Sequence, residues 1–230
     1  MKYKNLILIG TSHIAQESLD TVELVINKED PDIIALELDK SRFYSLIEEE
    51  ERHVRIRDIF KIGLKGWLFA LIGAWAEKKL GNMVGVSPGS EMILAAKLAK
   101  KKRKKIALVD QNIKITLKRL SKKITWKEKW NFIVDIVKAA VFRKKEIEFD
   151  LTKVPSKKVI NQLVGKIKKR YPNIYLVLIK ERNHFMARKL KELMDKNEDK
   201  KIVALVGAGH EEEIIDIIKK IEKGWITYTN

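Results

Sequence analysis

Twice along the chain a short apolar run breaks into a glycine, two small residues and a histidine: Leu6-Ile7-Leu8-Ile9 runs into Gly10-Thr11-Ser12-His13, and Ile202 to Val206 into Gly207-Ala208-Gly209-His210. Two more runs, Ile33 to Leu36 and Ile106 to Val109, have the same apolar character and also end in a polar break followed by a helical pattern. Continuous short apolar runs are the mark of strands buried on both faces, and alternation with helices is the mark of parallel strands joined by crossovers. The expected fold is therefore α/β, a central mostly parallel or mixed sheet with crossover helices. The stretches 39–104 and 112–200 exceed one crossover helix each, so a single domain over 1–230 is expected to carry large helical insertions there.

Helical periodicity is clearest in two places. Trp126, Trp130, Ile133, Val137 and Val141 follow steps of four, three, four and four, which mark one face of a helix. Met92, Ala95, Ala96 and Leu98 belong to another helix, which ends in Lys100-Lys101-Lys102-Arg103-Lys104-Lys105, where cations meet a helix C-terminal dipole.

Ligands of open α/β sheets bind outside the carboxyl ends of the strands. In a parallel arrangement His13 and His210 both stand on that edge, and the second and third runs add Glu37 and Asp110 to it. Two neutral imidazoles with one or two carboxylates suit a divalent transition metal, Mn, Co or Zn, with a position left for water. The plainer alternatives are that each histidine bonds the first turn of its helix, that Glu37 pairs with Lys40 or Arg42, and that Asp110 is a turn or cap residue. No nucleotide or organic cofactor is indicated.

Ile179, Met186, Leu190 and Leu193 form an apolar helical stripe whose gap is filled by Arg182-Asn183. A guanidinium on such a stripe requires a partner, either a carboxylate of the site or an anionic group of a substrate. Arg42, on the helix after Glu37, and Arg119, on the helix after Asp110, are placed to point back to the same edge or to pair at the surface. His184 and His53 read as surface residues.

Charge adds a second line of reasoning. Lys+Arg 48 against Asp+Glu 31 gives +17, which first suggests nucleic acid or an anionic membrane. Only ten of the basic residues are Arg and 38 are Lys, spread along the chain, whereas base readout and phosphate clamps favour Arg. Nucleic acid is thus disfavoured, and the Lys- and Glu-rich composition suits a heat-adapted surface. The absence of cysteine excludes disulfides, thiolate metal sites and cysteine nucleophiles. Met1 to Asn5 leads straight into the first run without a secretory signal, and Trp67 to Ala76 is too short for the ~20 residues of a membrane span. A cytoplasmic or membrane-associated domain is expected, with a homodimer through Trp67, Trp75, Trp126 and Trp130 as one option.

Taken in order, Gly10-Thr11-Ser12-His13, Pro31 to Asp39 with Arg42 three residues on, Glu181-Arg182-Asn183 and Gly207-Ala208-Gly209-His210 resemble the signature of the TraB/PrgY (pheromone shutdown) family. That family is related to the TIKI metalloproteases and more distantly to ChaN-like and erythromycin-esterase-like proteins. The resemblance spans nearly the whole chain and implies one pocket holding both GxxH histidines, a glutamate and an arginine. For the TIKI branch it implies metal-dependent peptidase activity. On that basis His13 and His210 would hold a metal or flank it, Glu37 would be a ligand or general base, and Arg182 an oxyanion or carboxylate clamp. By position, Arg42 and Asn183 join the catalytic candidates, and Asp110 and Arg119 are candidates for binding substrate. Family members of this type usually continue into hydrophobic C-terminal membrane segments, whereas this sequence stops at Asn230.

The leading expectation is a metal-dependent hydrolase of peptide-like substrates. A non-catalytic module that binds a peptide or small anionic ligand, set against a membrane surface, is the alternative. A nucleic-acid or membrane binder driven by charge alone ranks last, because it leaves both GxxH turns unexplained.

Overall fold

A computed structural model describes residues 1–12, 16–49, 89–142 and 156–226. Its sheet has five strands: β1 (Lys2–Tyr3), β2 (Leu6–Thr11), β3 (Ile33–Leu36), β4 (Lys105–Leu108) and β5 (Ile202–Gly207). They are ordered β1-β2-β5-β3-β4, with β1 antiparallel to β2 and every other pair parallel. The four longer strands stand on the four apolar runs. The two-residue β1 had no signal of its own in the sequence.

Alternation along these strands divides the core between two faces. Leu6, Leu8, Ile33, Ala35, Ile202, Ala204 and Val206 pack with Met186, Leu190 and Met194 of one helix and Ile214, Ile217 and Ile218 of another. Those helices are α8 (Glu181–Asp195) and α9 (Glu211–Glu222). Ile9, Ile34, Leu36, Val203 and Leu205 face the other way, onto Val22 and Ile26 of α1 (Gln16–Glu29) and Met92, Ala95 and Ala99 of α3 (Ser90–Lys101). Full burial of a Leu or Ile side chain contributes about 1.5–3 kcal/mol, so this double-sided packing explains why the strands read as unbroken apolar runs.

The chain moves outward from β2 to β3 to β4 and then returns to place β5 between β2 and β3. Right-handed crossovers in opposite directions must lie on opposite faces, which is how α1 and α8 are arranged. The helices following β2 and β5 therefore diverge, opening a crevice at the carboxyl ends of these neighbours.

The remaining described helices are α2 (Lys40–Glu49), α4 (Ile113–Lys123), α5 (Trp126–Phe142), α6 (Lys157–Arg170) and the short α7 (Pro172–Tyr175). A π turn, Leu176–Lys180, joins α7 to α8. The α5 helix lies where its spacing placed it, but Trp126, Trp130 and Ile133 are exposed, Trp126 by 80 %. The opposite side anchors this helix: buried Glu128 accepts hydrogen bonds from the Thr125 amide and hydroxyl and from the backbone and side chain of Asn173. In the basic run α3 stops at Lys101 and β4 starts at Lys105, with Lys102 and Lys104 paired to Asp30. Among the described residues no helix is long and apolar enough to cross a membrane. His53, Trp67 and Trp75 lie outside the described residues.

Candidate functional site

The parallel register brings the two glycine turns side by side. Gly10 aligns with Val206 and Thr11 with Gly207, and the Ala208 amide donates to the Thr11 carbonyl at 2.9 Å. Close approach explains the first glycine: a Cβ on Gly10 would stand 2.9 Å from Glu211 Oε2 and 3.1 Å from Ala208 Cα. Ser12 donates its amide to Ser18 Oγ at 2.8 Å, which ties the turn to the first turn of α1. His13 lies outside the described residues.

Glu37 is placed by the neighbouring strand. Its amide continues the ladder to the Leu205 carbonyl at 3.0 Å, and its carboxylate turns back so that Oε2 accepts the Gly207 amide at 2.5 Å. The other oxygen, Oε1, accepts from Arg182 Nη2. Oε1 also stands 3.5 Å from His210 Nε2. Thus Glu37, Arg182 and His210 meet at the carboxyl edge, as the sequence order suggested.

Arg182 takes the carboxylate partners rather than an open position. Nη2 also donates to Asp110 Oδ2 at 2.7 Å, Nε lies 3.1 and 3.2 Å from the two Asp110 oxygens, and Nη1 donates to the Leu178 carbonyl at 3.2 Å. That carbonyl belongs to the π turn, where the Glu181 amide reaches back five residues to Leu176. Burial opposes the charge on Arg182, but the facing Glu37 and Asp110 outweigh it and raise the guanidinium above the ordinary arginine range.

Asp110, whose side chain is fully buried, is the hub of the network, accepting from Arg182, from Arg42 Nη2 and from the Gln111 amide. It holds two guanidiniums and borders a cavity of about 550 Å³ shared with Asp39, Phe43 and Tyr44. Arg42 is the outward member, with a side chain 31 % exposed and Nε donating to Asp39 Oδ2 at 2.7 Å. Asp39 also caps α2 through the Ser41 and Arg42 amides and accepts the Ile113 amide. Burial alone would raise Asp39, yet the Arg42 and Ile113 contacts hold its carboxyl below the usual aspartate range.

Asn183, fully buried, completes the site from behind. Its Oδ1 lies 2.5 Å from His210 Nδ1, and its Nδ2 donates to Glu213 Oε2 at 2.7 Å. Arg119 takes the surface-pairing alternative, making a two-bond pair with Glu181 at 2.6 and 2.7 Å. This pair borders a different cavity of about 450 Å³, together with His184, which is half-buried rather than at the surface and which burial shifts to a lower pKa.

A cavity of about 430 Å³ opens over these groups, lined by Thr11, Ser12, Glu37, Arg42, Arg182 and Gly207 to His210, with Leu38, Met92, Ile160 and Ile179 as apolar wall. Among the described residues no three histidine, aspartate or glutamate side chains gather closely enough to hold a metal ion by themselves. Sequence reading missed Asp39, the Gly207 amide and Glu213. Asp39 at least carried a local signal, an acidic residue just ahead of a helix.

A three-layer α/β sandwich with carboxylate, imidazole and guanidinium groups clustered at its carboxyl edge defines the class of protein. The profile of the TraB/PrgY/gumN family matches residues 2–227, and the chain belongs to that family. It is 40 % identical over 225 residues to an uncharacterized protein of Methanocaldococcus jannaschii, covering 94 % of this chain and 54 % of that one. It is 22 % identical to TraB domain-containing proteins of Mus musculus and Homo sapiens, over 97 % of this chain and 63 % of each relative. The chain thus spans a little over half the length of these relatives.

Proposed function

We propose that the cavity at the carboxyl edge is a hydrolytic site for peptide-like substrates. The observation that carries this reading is His210 Nε2 and Glu37 Oε1 standing 3.5 Å apart on the cavity wall, which sets a ring nitrogen able to ligate an ion beside a carboxylate able to take a proton from water and return it to a leaving group. A volume of about 430 Å³ falls within the range of small-ligand sites. Arg182 and the Gly207 amide hold the Glu37 carboxylate in one orientation. Leu38, Met92, Ile160 and Ile179 exclude water from one wall.

The donor chemistry suits a divalent ion such as Mn, Co or Zn. Imidazole and carboxylate are suitable ligands, and the carboxylates of Glu37, Asp39 and Asp110 outnumber the guanidiniums of Arg42 and Arg182, which leaves the network anionic. His210 and His13 would supply ligands, leaving Glu37 beside the ion to take the proton. When bound, the ion would supply Lewis-acid polarisation of the scissile carbonyl and a lowered pKa for a coordinated water.

A second reading, capture of a peptide or small anionic ligand without turnover, is favoured by Arg42, a half-exposed guanidinium on the same wall. One experiment separates the two: incubation with a mixed peptide set with Mn, Co or Zn supplied, using wild type, Glu37→Gln and His210→Ala. Cleavage lost by about 10²-fold or more in both variants is expected for general acid-base chemistry. Saturable binding that survives chelator, with no product, would overturn the hydrolytic reading in favour of the second.

A further inference from the structure

We infer that Asn183 and Glu213 act as positioning residues that hold the His210 ring proton on Nδ1, leaving Nε2 as the acceptor nitrogen on the side of the cavity. This deepens the hydrolytic reading and rests on it only for its chemical consequence. The Glu213 carboxylate can only accept hydrogen bonds, so the atom of Asn183 that faces it at 2.7 Å is the amide nitrogen. The other end of the amide, Oδ1, is then the atom 2.5 Å from His210 Nδ1, and an oxygen there requires Nδ1 to carry the proton. Reversing the amide would set its oxygen against a carboxylate and its NH₂ against the ring. In the neutral ring the unprotonated nitrogen is therefore Nε2, on the side of Glu37 Oε1.

The placement is built into the fold rather than into a local turn. His210 is the N-cap of α9, and Glu213 stands at the third helical position, where a glutamate commonly reaches back to cap its own helix. Here it bonds across to α8 instead, and Asn183, fully buried between the two helices, transmits the orientation to the ring. A histidine whose second nitrogen is held in this way is a more basic and better directed ligand or proton acceptor. The sequence signal would be a glutamate three residues after the second GxxH histidine, paired with an asparagine after the buried arginine.

The test is long-range proton–nitrogen correlation of the histidine rings in the isotope-labelled full chain, at a pH above the imidazole range and without added metal. His210→Gln identifies the signals. The expected wild-type pattern is the Nδ1–H tautomer. In Asn183→Ala and in Glu213→Ala it should move toward the Nε2–H form that dominates in a free histidine side chain, while Glu213→Gln, which keeps an acceptor oxygen, should restore the wild-type pattern. If burial of Asn183 prevents its variant from folding, the half-buried Glu213 pair decides alone. A wild-type Nε2–H tautomer, or no change in a folded Glu213→Ala, would overturn the inference. Because the readout involves neither turnover nor metal, absence of peptide cleavage would remove the hydrolytic reading and leave this one standing.

Discussion

Glu181 and Arg182 are neighbours in sequence, yet each makes an arginine–carboxylate pair in a different environment. Glu181 meets Arg119 at the surface, with side-chain exposures of 21 and 48 %. Arg182 meets Glu37 and Asp110 inside, where the exposures are 15, 4 and 0 %. Both are hydrogen-bonded pairs, at 2.6 and 2.7 Å for Arg119 with Glu181 and 2.7 Å for Arg182 Nη2 with Asp110. Solvent screens the first pair, which is worth ~0–1 kcal/mol. The second lies where an unpaired charge has no water to turn to, so removing one partner costs far more than the pair itself contributes.

The largest effect should follow loss of the hub. Asp110→Ala leaves two guanidiniums facing a vacated buried site and is expected to destabilise the fold by ~3–5 kcal/mol in urea unfolding. A change below ~1 kcal/mol would mean that water replaces the carboxylate and that the interior network behaves like the surface pair.

Asp39 stands between the two regimes, half in the network and half a helix cap. Asp39→Asn should keep much of the cap and lose the ion pair with Arg42. The pKa of Asp39 is lower in the folded state than in the unfolded chain, so its contribution is present above the unfolded value of ~3.9 and is lost as pH falls through the depressed native value. The stability gap between wild type and Asp39→Asn should therefore be widest near neutrality and close in acid. A gap that stays constant from neutral to acid pH would show that the carboxylate charge plays no part.

The smallest effect belongs to the surface. A double-mutant cycle on Arg119→Ala and Glu181→Ala should give a coupling below ~1 kcal/mol that shrinks further in high salt. Hydrogen bonds from Arg119 also lower the Glu181 pKa, so this coupling too should fade in acid. Coupling of several kcal/mol would place this pair in the same class as the interior one.

The same contrast explains what could be read in advance. Buried strands are written locally as apolar runs, and Ile33 to Leu36 was legible to the residue. The edge residues Glu37 and His210 were legible because parallel strands end on one side, and Arg182 because a guanidinium in the gap of an apolar helical stripe requires a partner. Strand order was not, since the insertion of β5 between β2 and β3 depends on contacts some 170 residues apart. Nor was the partner of Arg119, for a related reason: helical spacing places a side chain on a face, but Glu181 one residue before Arg182 offered the nearer partner. The exposed Trp126 and Trp130 show the same limit, because apolar spacing marks a helix face without saying what lies against it.

The central claim, that His210 and Glu37 form one functional centre with a divalent ion, is tested most directly by metal content. The full chain, purified without chelator and challenged with Mn, Co and Zn, should take up one of them stoichiometrically and lose it in His210→Ala and in a His13→Ala, His210→Ala double variant. Folded wild type that takes up none of the three, or uptake unchanged in both variants, would contradict it.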